Sequence, residues 1–107
     1  MAGRTDEQSL ELLKDHLDYI KEKFSPEKII LFGSRARGDN LIDSDIDILI
    51  ISSRFGNMEW RERIIEAFDG WDRKQMLGCL CYTPEEFEEK KKETGIVRRA
   101  FEEGIEI

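Results

Sequence analysis

Residues 28–52 read KIILFGSRARGDNLIDSDIDILIIS, and the fold turns on how they are parsed. The apolar run Lys28–Phe32 predicts a short buried strand. It passes directly into Gly33-Ser34. A glycine there lets the backbone bend sharply and approach a ligand with no Cβ in the way. A helical turn starting at Ser34 would aim its free N–H groups at whatever sits at that end, and such an end favours phosphate. Ser34 adds a hydroxyl, and Arg35 and Arg37 add cationic forks that suit phosphate oxygens. Residues 39–44 are polar and turn-rich. Residues 45–52 (DIDILIIS) predict a second strand. Its alternation puts Ile46, Ile48 and Ile50 on one face, and Asp45, Asp47, Leu49 and Ile51 on the other.

Asp45 and Asp47 therefore share a face, with their roots roughly 6–7 Å apart. Aspartate is depleted in strands, so two of them at this spacing ask for a reason. Adjacent like charges repel, and a pair at the edge of a core needs a proton or a cation to be tolerated. Hard carboxylate oxygens suit Mg²⁺, which keeps several waters and completes its shell with substrate phosphates. A phosphate turn ten residues upstream of such a pair points to nucleoside triphosphate chemistry. The bland alternative is a solvent-facing strand edge where two acids cost little.

Outward from this core, Thr5 and Gln8 can form a capping box. Leu10, Leu13, Leu17, Ile20 and Phe24 then recur at helical spacing, one apolar stripe on an amphipathic helix that Ser25-Pro26 ends. His16 lies beside the stripe and is read as a rim residue. Gly56-Asn57 precedes a helix carrying Trp60, Ile64, Phe68 and Trp71, with Gly70 near its end. Residues 75–82 predict a third strand. Thr83-Pro84-Glu85-Glu86 has threonine, proline and glutamate at the positions that open a helix. The Glu86–Lys90 and Glu88–Lys92 spacings read as ion pairs on its solvated face. Gly95 breaks that helix, Ile96–Glu103 predicts another turn or two of helix, and residues 104–107 (GIEI) a closing strand. The expected class is α+β: a mixed β-sheet of three to five strands with helices packed on one side.

The chain has 107 residues, and no repeat, linker or composition break divides it, so residues 1–107 read as one domain. Hydrophobic residues make up 39 % and charged residues 38 %, which excludes a disordered tail. The apolar runs are far short of a membrane span, and the N-terminus carries no secretory h-region. A net charge of −7 argues against a large nucleic-acid footprint. Cys79 and Cys81, two apart on one strand, are poorly placed to bridge each other. They read as small buried hydrophobes in a reducing cytosol, hence a cytoplasmic protein.

The segment from Phe32 to Ile50 closely resembles the signature of the nucleotidyltransferase superfamily related to DNA polymerase β. In that pattern a Gly-Ser turn is followed, after ten residues, by Asp-x-Asp on a strand. Here Arg35 to Ser44 separate Ser34 from Asp45. The SRARG continuation and the TPEEF run at Thr83–Phe87 resemble the minimal nucleotidyltransferases of bacteria and archaea, commonly paired with a HEPN-domain toxin. The resemblance implies that Gly33 and Ser34 bind nucleotide phosphates and that Asp45 and Asp47 hold Mg²⁺ against the triphosphate of ATP. It implies assistance with phosphate charge from Arg35 and Arg37, and Ser34, Asp45 and Asp47 as the catalytic set. The reaction implied is transfer of AMP to a hydroxyl, best placed on a partner HEPN toxin, with the chain acting as antitoxin. A homo-oligomer stays open.

One departure stands out. The family often carries a third carboxylate on the next strand, and aligning on Tyr82-Thr83-Pro84 puts Gly78 there. The rival reading is therefore a slow or inactive nucleotide-binding antitoxin that neutralises its partner by contact alone. Asp72 and Glu85, at the ends of that strand, are the acids nearest in sequence.

Overall fold

β1 (Lys28–Phe32) and β2 (Ile46–Ile51) pair antiparallel at the centre of the sheet, with Lys28 opposite Ile51 and Phe32 opposite Asp47. They belong to a computed structural model that describes residues 7–38 and 44–107. β3 (Leu77–Tyr82) adds parallel to the outer side of β2, and the short β4 (Ile105–Glu106) adds antiparallel to β1. The order is β3-β2-β1-β4, a mixed sheet of the α+β kind the sequence predicts.

Among the described residues five helices are interleaved with these strands: α1 (Glu7–Phe24), α2 (Ser34–Arg37), α3 (Trp60–Phe68), α4 (Pro84–Lys90) and α5 (Ile96–Glu103). A 3-10 turn, Ser53–Asn57, follows β2. One face of the sheet carries Ile46, Ile48, Ile50, Cys79 and Cys81, packed with Leu13, Leu17, Ile20 and Phe24 of α1, Ala67 of α3 and Phe55. The other carries Ile30, Phe32, Leu49 and Ile51, packed with Phe87 of α4 and with Val97 and Ala100 of α5. Helical cover thus extends to both faces, beyond the one-sided packing expected. The reason is in β2 itself, which is apolar on both parities after Asp47. A strand with no polar face must be covered twice.

Local signals fix the element ends. α1 stops where Ser25 enters the left-handed region at φ 44°, just ahead of Pro26. The Thr5 cap expected at its start lies outside the described residues. Leu10, at 38 % exposure, falls off the apolar stripe. His16 is buried rather than at the rim, and its Nε2–H donates to the Ala67 carbonyl at 2.7 Å. α4 opens on the expected box: Thr83 Oγ1 accepts from Glu86 N, and Thr83 N donates to Glu86 Oε1. Glu86 does not pair with Lys90. Arg63, buried on α3, reaches it at 2.6 Å and also donates to the Cys81 carbonyl. Glu88 pairs with Lys91 at 2.8 Å, one residue short of the Lys92 expected. Among the described residues no helix is long and apolar enough to cross a membrane.

Candidate functional site

Strand β1 delivers the chain to Gly33, whose φ of 79° is a left-handed value that side chains other than glycine rarely adopt. The turn closes at once. Ala36 N and Arg37 N both donate to the Gly33 carbonyl, at 3.1 and 3.2 Å, and Gly38, also left-handed, donates to the Ser34 carbonyl at 2.9 Å. The helical turn expected at Ser34 is therefore present as α2. Ser34 itself is partly exposed at its start.

Because Phe32 lies opposite Asp47 in the ladder, the turn emerges beside the Asp47 side chain. A Cβ placed on Gly33 would sit 2.8 Å from Asp47 Oδ2. On the other side of the same carboxylate is β3, where Gly78 is the register partner of Asp47. A Cβ on Gly78 would sit 2.6 Å from Asp47 Oδ1. Asp47 thus holds its carboxylate in a slot between two glycines, one on each neighbouring strand end. Asp45, exposed, stands just ahead of β2 on the same side of the strand. Burial, and secondarily the negative charge of Asp45, push the Asp47 carboxyl above its ordinary value.

Among the described residues no third His, Cys, Asp or Glu joins these two in a metal-holding group. Asp72 faces solvent near Arg73 at 3.9 Å, and Glu85 is exposed in the first turn of α4, beyond the far end of β3. The donor set that is present still fits a hard divalent cation. Two carboxylates crowded on one side, one of them half-buried, gain from a positive charge, and Mg²⁺ takes its remaining ligands from water and phosphate.

The two arginines of the turn part company. Arg37 is exposed at the end of α2. Arg35 is fully buried. Its Nε and Nη2 both donate to the Ser44 carbonyl, at 3.1 and 2.9 Å. Its Nη1 donates to Ser9 Oγ at 3.0 Å and to Gln8 Oε1 at 3.1 Å. The phosphate-facing role that the resemblance implied for Arg35 thus meets a guanidinium held by protein oxygens. Sequence reading missed the Gln8, Ser9 and Ser44 part of this network. Its only signal was Ser9, a polar residue on the inward side of an apolar stripe.

A cleft of about 450 Å³ lies elsewhere, lined by Asp15, His16, Tyr19, Asp69, Trp71 and Arg73 among others. It shares no lining residue with the Gly33–Asp47 corner. Its rings bond to the chain's own carbonyls: Tyr19 to Glu66, and Trp71 to Gln75. The corner, not the cleft, brings the glycine turn and the carboxylate of the sequence-predicted set together.

A glycine turn thus leaves one central strand beside a carboxylate pair entering its antiparallel neighbour, in a mixed sheet covered on both faces. The sequence profile of the nucleotidyltransferase domain family matches residues 13–107, and the chain belongs to that family. Two proteins of Methanocaldococcus jannaschii, each described as a "Putative protein adenylyltransferase", are similar to it. One is 38 % identical over 64 residues, covering 60 % of this chain and 63 % of that one. The other is 45 % identical over 40 residues, covering 37 % and 40 %. The matched stretches thus span about two fifths to three fifths of those relatives. A structure described as a "putative nucleotidyltransferase" from Sulfolobus solfataricus shares the fold, with a TM-score of 0.64 and 24 % identity over 97 % of this chain and 88 % of that one.

Proposed function

We propose that this chain transfers AMP from ATP to a hydroxyl on a partner protein, a HEPN-domain toxin, and so acts as its antitoxin in the cytosol. The observation that supports the reading is the close approach of the Gly33 turn to the Asp47 carboxylate, an arrangement suited to phosphate and Mg²⁺ side by side. Family membership and the description of the M. jannaschii relatives support adenylyl transfer.

In this reading Gly33 and Ser34 receive the terminal phosphates, close to the backbone because no Cβ intervenes. Arg37 adds positive charge from the exposed end of α2. Asp45 and Asp47 hold Mg²⁺, which when bound neutralises the triphosphate and the leaving pyrophosphate. The acceptor oxygen forms a bond to the α-phosphorus, the bond from that phosphorus to the bridging oxygen breaks, and pyrophosphate departs. The hydroxyl proton is lost to water. With two carboxylates in place of three, turnover is slow. Loss of one stabilising group from such a site costs on the order of tenfold to thousandfold in rate.

The test is label transfer from α-labelled ATP to the HEPN partner with Mg²⁺, alongside calorimetry of Mg-ATP binding. Transfer by the wild type and none by Asp47→Asn supports the reading. Absence of Mg-ATP binding removes it. A second reading, nucleotide binding without turnover, is favoured by Gly78 in the third carboxylate position. It predicts a partner that stays neutralised when Asp45→Asn and Asp47→Asn are combined.

A further inference from the structure

We propose that Arg35 is a positioning residue, a buried cross-brace that sets the spacing between the Gly33-Ser34 turn and the Asp45–Asp47 pair. The inference rests on the site proposed above and concerns how that site is held.

A buried guanidinium gives up its hydration and is kept only where its donors are met. Arg35 has no exposed surface, and its donors reach oxygens from two separate segments. Two of them converge on one carbonyl, that of Ser44. A carbonyl oxygen has two lone pairs, and a planar fork can address both, which a lysine cannot do. The third nitrogen is anchored on α1, at Ser9 Oγ and Gln8 Oε1, and Ser9 is itself fully buried.

The location gives the brace its function. Arg35 follows Ser34 in the turn, and Ser44 immediately precedes Asp45. One side chain therefore ties the residue after the phosphate turn to the residue before the carboxylate pair, and ties both to α1. The clearance between the turn and Asp47 is small, 2.8 Å from a Cβ position on Gly33 to Oδ2. Displacement of about 1 Å between reacting groups can cost on the order of 10²-fold in rate, so a rigid brace has consequences at the site.

A matched control is available in the same molecule. Arg63 is also buried and also bonds a backbone carbonyl, that of Cys81, but it braces α3, β3 and α4 instead. The experiment compares Arg35→Lys with Arg63→Lys in the full chain, reading thermal midpoint, Mg-ATP affinity by calorimetry, and backbone hydrogen exchange by mass spectrometry. Both variants are expected to melt lower. Only Arg35→Lys should lose about tenfold or more in Mg-ATP affinity while still folded, the scale of losing a supporting hydrogen-bond partner. Only Arg35→Lys should speed exchange in both 33–38 and 44–47 while 77–82 stays protected. Affinity within twofold of wild type, equal losses in the two variants, or native exchange in either segment overturns the proposal. If Arg35→Lys does not fold, Ser9→Ala removes one anchor. It should show the same pattern more weakly, and wild-type affinity together with wild-type exchange in that variant overturns the brace. Should the wild type bind no Mg-ATP while the exchange pattern holds, the proposed function fails and the bracing role stands.

Discussion

Asp47 shows how much a single position depends on its neighbours. By the resemblance, Gly78 stands where a carboxylate is expected. In the fold it is also the wall of a slot, because Asp47 Oδ1 lies where a Gly78 side chain would begin, 2.6 Å from its Cβ position. The obstructing atom is the far end of a flexible side chain, so a substitution displaces the carboxylate rather than the strand. Gly78→Ala is therefore expected to keep its thermal midpoint within a few degrees and to bind Mn²⁺ about tenfold more weakly, measured by calorimetry. An unchanged Mn²⁺ affinity would show that the slot does not matter. The cysteines make a second residue-scale case. Burial, with a smaller push from Asp47, raises the Cys79 thiol to about 12, and burial raises Cys81 as well. The thiolate is the reactive form, so both thiols should resist a disulfide probe at pH 8 in the native protein and react promptly in denaturant. Fast labelling of the folded chain would contradict the burial. Their unbridged state is legible in their spacing, and their burial in the habits of free cysteine. The slot was not, because it joins residues 33, 47 and 78.

At the scale of elements, the start of α4 was written in Thr83-Pro84-Glu85-Glu86, and the box forms as the pattern predicts. What the pattern left out is the second partner of Glu86. Arg63 comes from α3, more than twenty residues earlier, and its hydrogen bond is the main cause holding the Glu86 carboxyl below its ordinary value of 4.5. A lowered folded value means a stabilisation that is complete above the unfolded value and is lost as pH falls through the folded one. Glu86→Gln should thus melt several degrees below wild type at pH 7. The gap should close as the pH is taken below 4.5, followed by circular dichroism across the series. Glu86 is 42 % exposed at its side chain, so solvent screening keeps the effect modest. A gap that is constant with pH would show that the loss does not come from the ionised carboxylate. The Glu86–Lys90 pair does not form because spacing names candidates along one helix, whereas a buried arginine on another element competes with a stronger, less hydrated fork.

For the whole molecule, the decisive feature is that β2 is buried twice. Leu49 has no exposed surface and belongs to the cluster with Phe87, Val97 and Ala100, away from α1. Leu49→Ala should cost about 2–5 kcal/mol, read as a lower urea midpoint, a large share of what a chain this size has. Ile65→Ser, at a site 61 % exposed on α3, should change the midpoint little. Equal costs would mean that α4 and α5 do not form a second core layer. The two parities of residues 46–51 could have announced this double burial, since neither is polar after Asp47.

The sequence by itself determined the local features: the strand ending at Gly33, the helical turn at Ser34, the carboxylates on one parity, the box that opens α4. Each rests on backbone sterics or periodicity within a few residues, and that information is carried by neighbours in the chain. Only the tertiary structure decided that Asp47 lies between Gly33 and Gly78, that Arg35 turns inward to Ser44 and Ser9, and that Arg63 takes Glu86 from Lys90. Those outcomes depend on strand register and on which buried donors find acceptors across the sheet. Burial makes such pairings costly to leave unmet, and no spacing along the chain records them.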